Sequence, residues 1–200
     1  MAANDPAVAG RMIESDAFVV NHSEINPESR LRLFEEIVLP HLNVAYNLAR
    51  WLTRNEHDAQ DVVQEAYLRA FRFFDGYQGG DGKAWLLEVV RNTCFTWLRR
   101  EKRNLTTVVF DEAAHTPPAH LPDQEEALVD AANRTVLQNC IERLPDEFRE
   151  VLIMRDLEEM SYRQIAEVAG LPAGTVMSRL SRARKRLGEC VSGRNMESGK

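Results

Sequence analysis

Arg179, Arg182, Arg184, Lys185 and Arg186 place five cations within eight residues near the end of a 200-residue chain whose formal net charge is −6. Guanidinium groups gathered on one helix suit anions, because each planar fork donates to two phosphate oxygens or to the O6 and N7 edge of a guanine. The same residues also suit a solvated helix end, where cations complement the negative end of the helix dipole. The elements that carry and precede the cluster decide between these two chemistries.

"GLPAGTVMSRLSRARKRL", residues 170–187, supplies the cluster. Within it Val176, Leu180, Ala183 and Leu187 fall at i, i+4, i+7 and i+11, an apolar stripe able to pack on Tyr162, Ile165 and Ala166. Thr175, Ser178, Arg179, Arg182 and Lys185 lie off the stripe, with Arg184 and Arg186 flanking it. Upstream, Ser161 and Gln164 fit a capping box, so "SYRQIAEVAG" reads as a short helix closed by Gly170, and Pro172 suits the first turn of the next helix. A capped helix, a glycine turn and an outward-facing second helix make a helix-turn-helix, whose exposed face enters the DNA major groove. Thr175, Ser178, Arg179 and Arg182 are the candidates for that groove, with Arg184 and Lys185 left for phosphates.

Apolar residues recur at three and four along most of the chain, so the fold class is all-α. Charge divides the sequence further. Residues 104–125 hold four acids, no bases and three prolines without helical or strand period, as a flexible linker would. Residues 31–103 and 126–188 then form two small helical domains, flanked by a polar extension at 1–30, expected to be partly disordered with a short helix near its start, and a tail at 189–200 that frays. In the first domain, a helix from Asp58 gathers Val62, Val63, Ala66, Leu68, Ala70, Phe71 and Phe74 on an apolar face and turns Asp61, Gln64, Glu65, Arg69 and Arg72 outward. A second helix, from Trp85 to about Arg100, buries Leu86, Leu87, Val90, Cys94 and Leu98, while Asn92, Thr96, Arg99 and Arg103 make a polar stripe suited to a DNA backbone. "QGGDGK", residues 78–83, is a glycine-rich loop ahead of it.

Residues 144–187, "LPDEFREVLIMRDLEEMSYRQIAEVAGLPAGTVMSRLSRARKRL", closely resemble region 4 of the extracytoplasmic-function (ECF) sigma factors of bacterial RNA polymerase, in the sigma-70 family. The LP opening, the Y-x-x-I-A core, the G-x-P-x-G-T-V turn and the SR-x-x-RAR helix all match. "DAQDVVQEAYLRAFRFFDGY", residues 58–77, resembles region 2 of the same family, and "AWLLEVVRNTCFTWLRREKR" from Ala84 resembles its continuation. The two modules stand in the family's order, and the likeness covers about Arg32 to Leu187.

The resemblance implies a sigma factor that directs core RNA polymerase to promoters, with the helix from Pro172 to Leu187 on a minus-35 element and residues 32–103 opening a minus-10 element. It implies that Asp61, Gln64 and Glu65 face the clamp helices of the polymerase largest subunit. It implies that the loop with Gly80, Asp81 and Lys83 receives a base flipped from the non-template strand. Tyr77 at its edge, with Asn92, Thr96, Arg99 and Arg103, would contact the opened DNA; such contacts must offset the few kcal/mol that unstacking costs. An anti-sigma factor is the expected regulatory partner. Two departures, Glu88 and Met177, stand where the family commonly carries basic residues, and the loop after Tyr77 is slightly short, so no promoter sequence is transferred. A polymerase-independent operator-binding regulator and a sigma mimic that only sequesters an anti-sigma factor are the alternatives; the intact basic helix argues against the mimic. Fully extended, the 22 linker residues reach about 70 Å, comparable to the roughly 70 Å of two DNA turns, so the domains can occupy separate promoter elements.

Several function classes are excluded. No catalytic triad, phosphate loop or metal spacing links His22, His41, His57, His115 and His120 to other groups, so surface or packing roles are expected for them, and neither an enzyme, nor a cofactor, nor a small-molecule substrate is expected. No apolar run approaches the ~18 residues of a membrane span, and the N-terminus lacks the order of a signal peptide, so the expected location is cytoplasmic without membrane insertion. Cys94, Cys140 and Cys190 are widely spaced and odd in number, which speaks against a disulfide framework or a zinc module and for core or incidental thiols.

Overall fold

The computed structural model describes residues 26–105 and 126–197, and every regular element among them is helical. The N-terminal extension up to residue 25, with His22, lies outside the described residues, as do linker residues 106–125, with His115 and His120, and the last three residues.

Short side chains set the helix starts. α1, Pro27–Val38, begins where Asn26 Oδ1 accepts from the amides of Glu28 and Ser29, with Pro27 at the first helical position. α2, Leu42–Thr53, stops at Arg54, whose φ of 62° is left-handed, and Asn55 at once caps α3, Glu56–Phe73, by accepting from His57 and Asp58. α3 therefore starts two residues earlier than the periodicity indicates, and α4, Gly82–Leu105, outruns its expected span at both ends. Gly82 is the point where α4 meets α1: a Cβ there would lie 2.6 Å from Ile37 Cγ2 and 3.0 Å from the Ile37 carbonyl oxygen.

After α5, Glu126–Glu142, and α6, Asp146–Leu152, a wide π turn over Ile153–Leu157 leads to α7, Tyr162–Ala169, and α8, Ala173–Glu197. Both halves of the Ser161–Gln164 capping box form, and Gly170 closes α7 at φ 64°. Val176, Leu180 and Ala183 are buried and Leu187 is half-buried, as the stripe predicts.

Two expectations fail together at the C-terminus. α8 does not end near Leu187 but continues through Glu197, and Cys140 on α5 is joined to Cys190 on that continuation by a disulfide across a Cα separation of 5.8 Å. Sequence spacing hides the pairing because the two residues stand 50 apart and meet only when α8 runs on and packs along α5. Only Cys94 matches the reading of the cysteines as buried core thiols.

The two helical groups share one hydrophobic core, with α7 packed against α4 and α6 against α2. Arg149 is the polar pin of this packing. It is fully buried, donates to the carbonyls of Glu142 at 2.8 Å and Leu144 at 3.0 Å, pairs with Asp146, and reaches the Leu52 carbonyl of α2 at 3.5 Å. Burial, with Arg54 nearby, pulls its pKa down to about 10. Removing Arg149 empties a fully buried site, leaves the Glu142, Leu144 and Leu52 carbonyls without this donor and takes one partner from half-buried Asp146, so Arg149→Ala should lower stability by about 3–5 kcal/mol, read from urea unfolding midpoints. An unchanged midpoint would remove Arg149 from this role.

Candidate nucleic-acid and polymerase interface

α8 presents the helix-turn-helix residues unequally. Ser178, Arg182, Arg184 and Lys185 are exposed and Thr175 is half-buried, with Ser178 Oγ donating to the Thr175 carbonyl at 2.9 Å. Arg184 pairs with Asp156, and Lys185 with Glu189 at 4.0 Å. Arg186 lies over the Phe148 ring, 5.0 Å from its centre. Met177 is 50% exposed on the early turns that carry Thr175 and Ser178.

Arg179 departs from its expected place on the exposed face. Its side chain is 22% exposed and turns inward to Glu150 at 3.2 Å and Glu147 at 3.4 Å. Glu150, 1% exposed, is shared with Arg91 of α4, whose Nε donates at 2.6 Å and Nη2 at 3.3 Å. Burial pushes the Glu150 carboxyl above its ordinary range, against the opposing pull of Arg91 and Arg179. The physical reason for the departure is that a buried carboxylate demands cationic partners, and Arg179 is the member of the cluster within reach.

Around the glycine-rich loop, geometry is set by Tyr77 and Asp81. Tyr77 was expected to meet DNA but is buried, stacked on Phe74 at 5.8 Å and beside Trp85 at 5.3 Å, and its hydroxyl donates to the Gly80 carbonyl at 2.7 Å. Gly79 and Gly80 occupy φ of 90° and 97°, where a side chain is strained, so the ring and two glycines fix the loop. Asp81 caps α4 through the Ala84 amide and accepts from Gln164 Nε2 of α7 at 2.6 Å; burial acts to raise its pKa, but these hydrogen bonds prevail and lower it. Lys83 donates to the Glu158 carbonyl at 3.0 Å. Two side chains of the loop thus contact the second helical group, while Gln78, Gly80 and Asp81 remain exposed.

Beyond the loop, Asn92, Arg99 and Arg103 are exposed and Thr96 is half-buried, all on the solvent side of α4. Arg99 and Arg103 bond the carbonyls one turn back, at Phe95 and Arg99. Glu88 is exposed on the same helix. On α3, Asp61, Gln64 and Glu65 are exposed, with Glu65 paired to Arg69 at 2.7 Å. Leu68, assigned by periodicity to the packed face, is 69% exposed, three to seven residues along from those polar groups; Phe71 and Phe73 are exposed too. Solvent access at Leu68 is the signal that sequence reading missed, because helical period alone does not say where a packed stripe ends.

No group of three or more His, Cys, Asp and Glu residues that could hold a metal occurs among the described residues. Burial pushes the Cys94 thiol up to about 12. His41 is half-buried and His57 exposed. Among the described residues no helix is long and apolar enough to cross a membrane.

Comparison with known proteins bears on this geometry directly. Residues 37–104 match the family model of sigma-70 region 2 and residues 134–187 that of sigma-70 region 4. The ECF RNA polymerase sigma-E factor of Haemophilus influenzae is 32% identical over 149 residues, covering 71% of this chain and 78% of that protein. The chain belongs to the ECF sigma factors. The ECF sigma factor SigE of Mycolicibacterium smegmatis is 33% identical over 165 residues, covering 82% of this chain, which spans 64% of that relative's length. The sigma factor RpoE of Bartonella quintana, solved in complex with the anti-sigma factor NepR, matches with a TM-score of 0.68 and 27% identity over 80% of this chain and 98% of that one. α2 to α4 therefore carry region 2, and the second half of α5 through Leu187 of α8 carries region 4.

Arg179→Ala, which leaves Glu150 with one arginine, should cost about 1–3 kcal/mol, whereas Arg182→Ala on the exposed face should change stability by less than about 0.5 kcal/mol. Equal urea midpoints for the two variants would contradict the inward placement of Arg179. A raised carboxyl pKa favours the folded state below the ordinary Glu value, and that contribution is lost as pH rises through the raised value. The stability of the parent relative to Glu150→Gln should accordingly fall as pH rises above the ordinary Glu value of about 4.3; a difference that rises instead reverses the assigned direction.

Proposed function

We propose that this ECF sigma factor brings core RNA polymerase to specific promoters in the cytoplasm and helps open them, the polymerase performing the chemistry. The carrying observation is the exposed, polar first turns of α8, held on a buried stripe behind the complete capping box of α7. Thr175, Ser178 and Arg182 are assigned to minus-35 base edges and Arg184 and Lys185 to phosphates, while Arg179 positions the helix through Glu150. The loop with Gly80, Asp81 and Lys83, shaped by Tyr77, and the α4 stripe of Asn92, Thr96, Arg99 and Arg103 are assigned to the minus-10 element. Asp61, Gln64 and Glu65, now with Leu68, are assigned to the polymerase.

Promoter engagement on this reading requires regions 2 and 4 to separate, because Gln164 and the Glu158 carbonyl hold Asp81 and Lys83 of the loop. The closed arrangement is a resting form. An anti-sigma factor that favours it is the regulatory partner, a reading supported by the fold match to the Bartonella factor, whose structure includes one.

Run-off transcription with purified core polymerase and promoter fragments selected by the reconstituted holoenzyme tests the reading. Core plus this protein should start transcripts that core alone does not; none on any selected fragment refutes it. Arg182→Ala should weaken minus-35 use by about 1–3 kcal/mol if it reads a base, and a loss whose only signature is a salt slope shallower by about 1 would move Arg182 to the phosphates.

A further inference from the structure

The Cys140–Cys190 link falls outside what the family likeness accounts for. Cys140 lies inside the stretch matched as region 4, but Cys190 lies beyond its last matched residue, Leu187, on the continuation of α8. The link closes a loop that contains α6, the π turn, α7 and the DNA-facing turns of α8. It sits 12 residues past Ser178, about 18 Å along the helix, so the bond leaves the reading face open.

On the sigma-factor reading the protein works beside RNA polymerase, in a compartment whose thiol pools keep cysteines reduced and where disulfides are transient or sensing. In that setting the resting state is a dithiol. The pair is placed to close with little backbone movement, since its Cα separation of 5.8 Å lies within the span a disulfide needs. One partner is accessible and the other is not: Cys190 is half-buried on α8, whereas Cys140 is 1% exposed within the core. That asymmetry suits an attacking thiol and a resolving thiol. The third cysteine, Cys94, is buried with its thiol pushed up to about 12, which keeps it out of the exchange.

We propose that Cys140 and Cys190 form a reversible redox pair through which region 4 senses hydroperoxides, oxidation fastening the end of the recognition helix to α5. The Cys190 thiolate attacks the outer peroxide oxygen, breaking the O–O bond and releasing an alcohol or water as it takes up a proton. The resulting Cys190 sulfenic acid is attacked by the Cys140 sulfur, forming the S–S bond and expelling hydroxide, which leaves as water with the Cys140 proton. Two electrons pass from the thiol pair to the peroxide, and a cellular dithiol returns them by thiol–disulfide exchange. When the pair is reduced, the α8 continuation, with Gly188 and Gly193 exposed, keeps only its packing on α5. When it is oxidised, the helix is anchored at both ends of the unit.

The test uses the full chain, reduced and then treated with an equimolar amount of hydrogen peroxide. Mass spectrometry should show a loss of about 2 Da, with the peptides of Cys140 and Cys190 joined and Cys94 still a thiol; dithiothreitol should reverse it. In urea the unfolding equilibrium constant should fall by about 100-fold or more on oxidation, and limited proteolysis after Arg186 should slow. Cys190→Ser should behave like the reduced parent under both conditions. Over-oxidation or mixed disulfides in place of the internal link overturn the proposal, as does a link that leaves unfolding and proteolysis unchanged. Run-off transcription by the reduced protein separates the two readings. Transcription without cross-linking sinks only the redox pair, and cross-linking without transcription sinks the sigma-factor reading.

Discussion

A carboxylate with almost no access to water sits between two arginines contributed by different halves of the chain. Glu150 cannot be buried alone, since an isolated charge in a low-dielectric interior is costly, so Arg91 from region 2 and Arg179 from the recognition helix must both be turned to it. That single requirement fixes the roll of α8 about its own axis, because Arg179 points inward only if Val176, Leu180 and Ala183 point inward beside it. It also ties the roll of α8 to the position of α4. Other polar contacts of the seam, among them those from Asp146, Gln164 and the Glu158 carbonyl, follow the same arrangement.

Such a seam is specific without having to be strong. Desolvation of the Glu150 triad cancels much of its Coulombic gain, and several of the remaining contacts are exposed to water, where ion pairs contribute about 0–1 kcal/mol each. Alternative packings of the two regions are penalised because they strand buried charge, while solvation of the same charges lowers the cost of full separation. Such a balance suits the separation of regions 2 and 4 proposed for promoter engagement.

What could be read from the sequence was what neighbours decide. Ser161, Gln164 and Gly170 announce the first helix of the motif because their partners lie within four residues, and the apolar stripe of α8 needs only helical period. Most of the failures are long-range; the start of α3 and the enclosure of Tyr77 are local ones. Arg179 is distinguished from Arg182 only by Glu150, 29 residues earlier. Tyr77 looks like a free aromatic until Phe74, Trp85 and the Gly80 carbonyl enclose it. Leu68 looks packed because period cannot show that no helix covers that side of α3. The disulfide depended on the unanticipated length of α8 and on the course of α5.

The wide turn at Ile153–Leu157 gives this architecture an unusual dependence on chain length. A π turn holds one residue more than the α-helical turn it replaces, and each residue in a helix carries the chain through about 100°. The Glu158 carbonyl that meets Lys83 and the buried Met160 stand where they do because of that extra residue. Shortening the turn by one position would swing the Glu158 carbonyl away from Lys83 without changing any residue of α8. The register of five backbone units, rather than the identity of any residue in them, is therefore a determinant of how firmly the two regions are kept together.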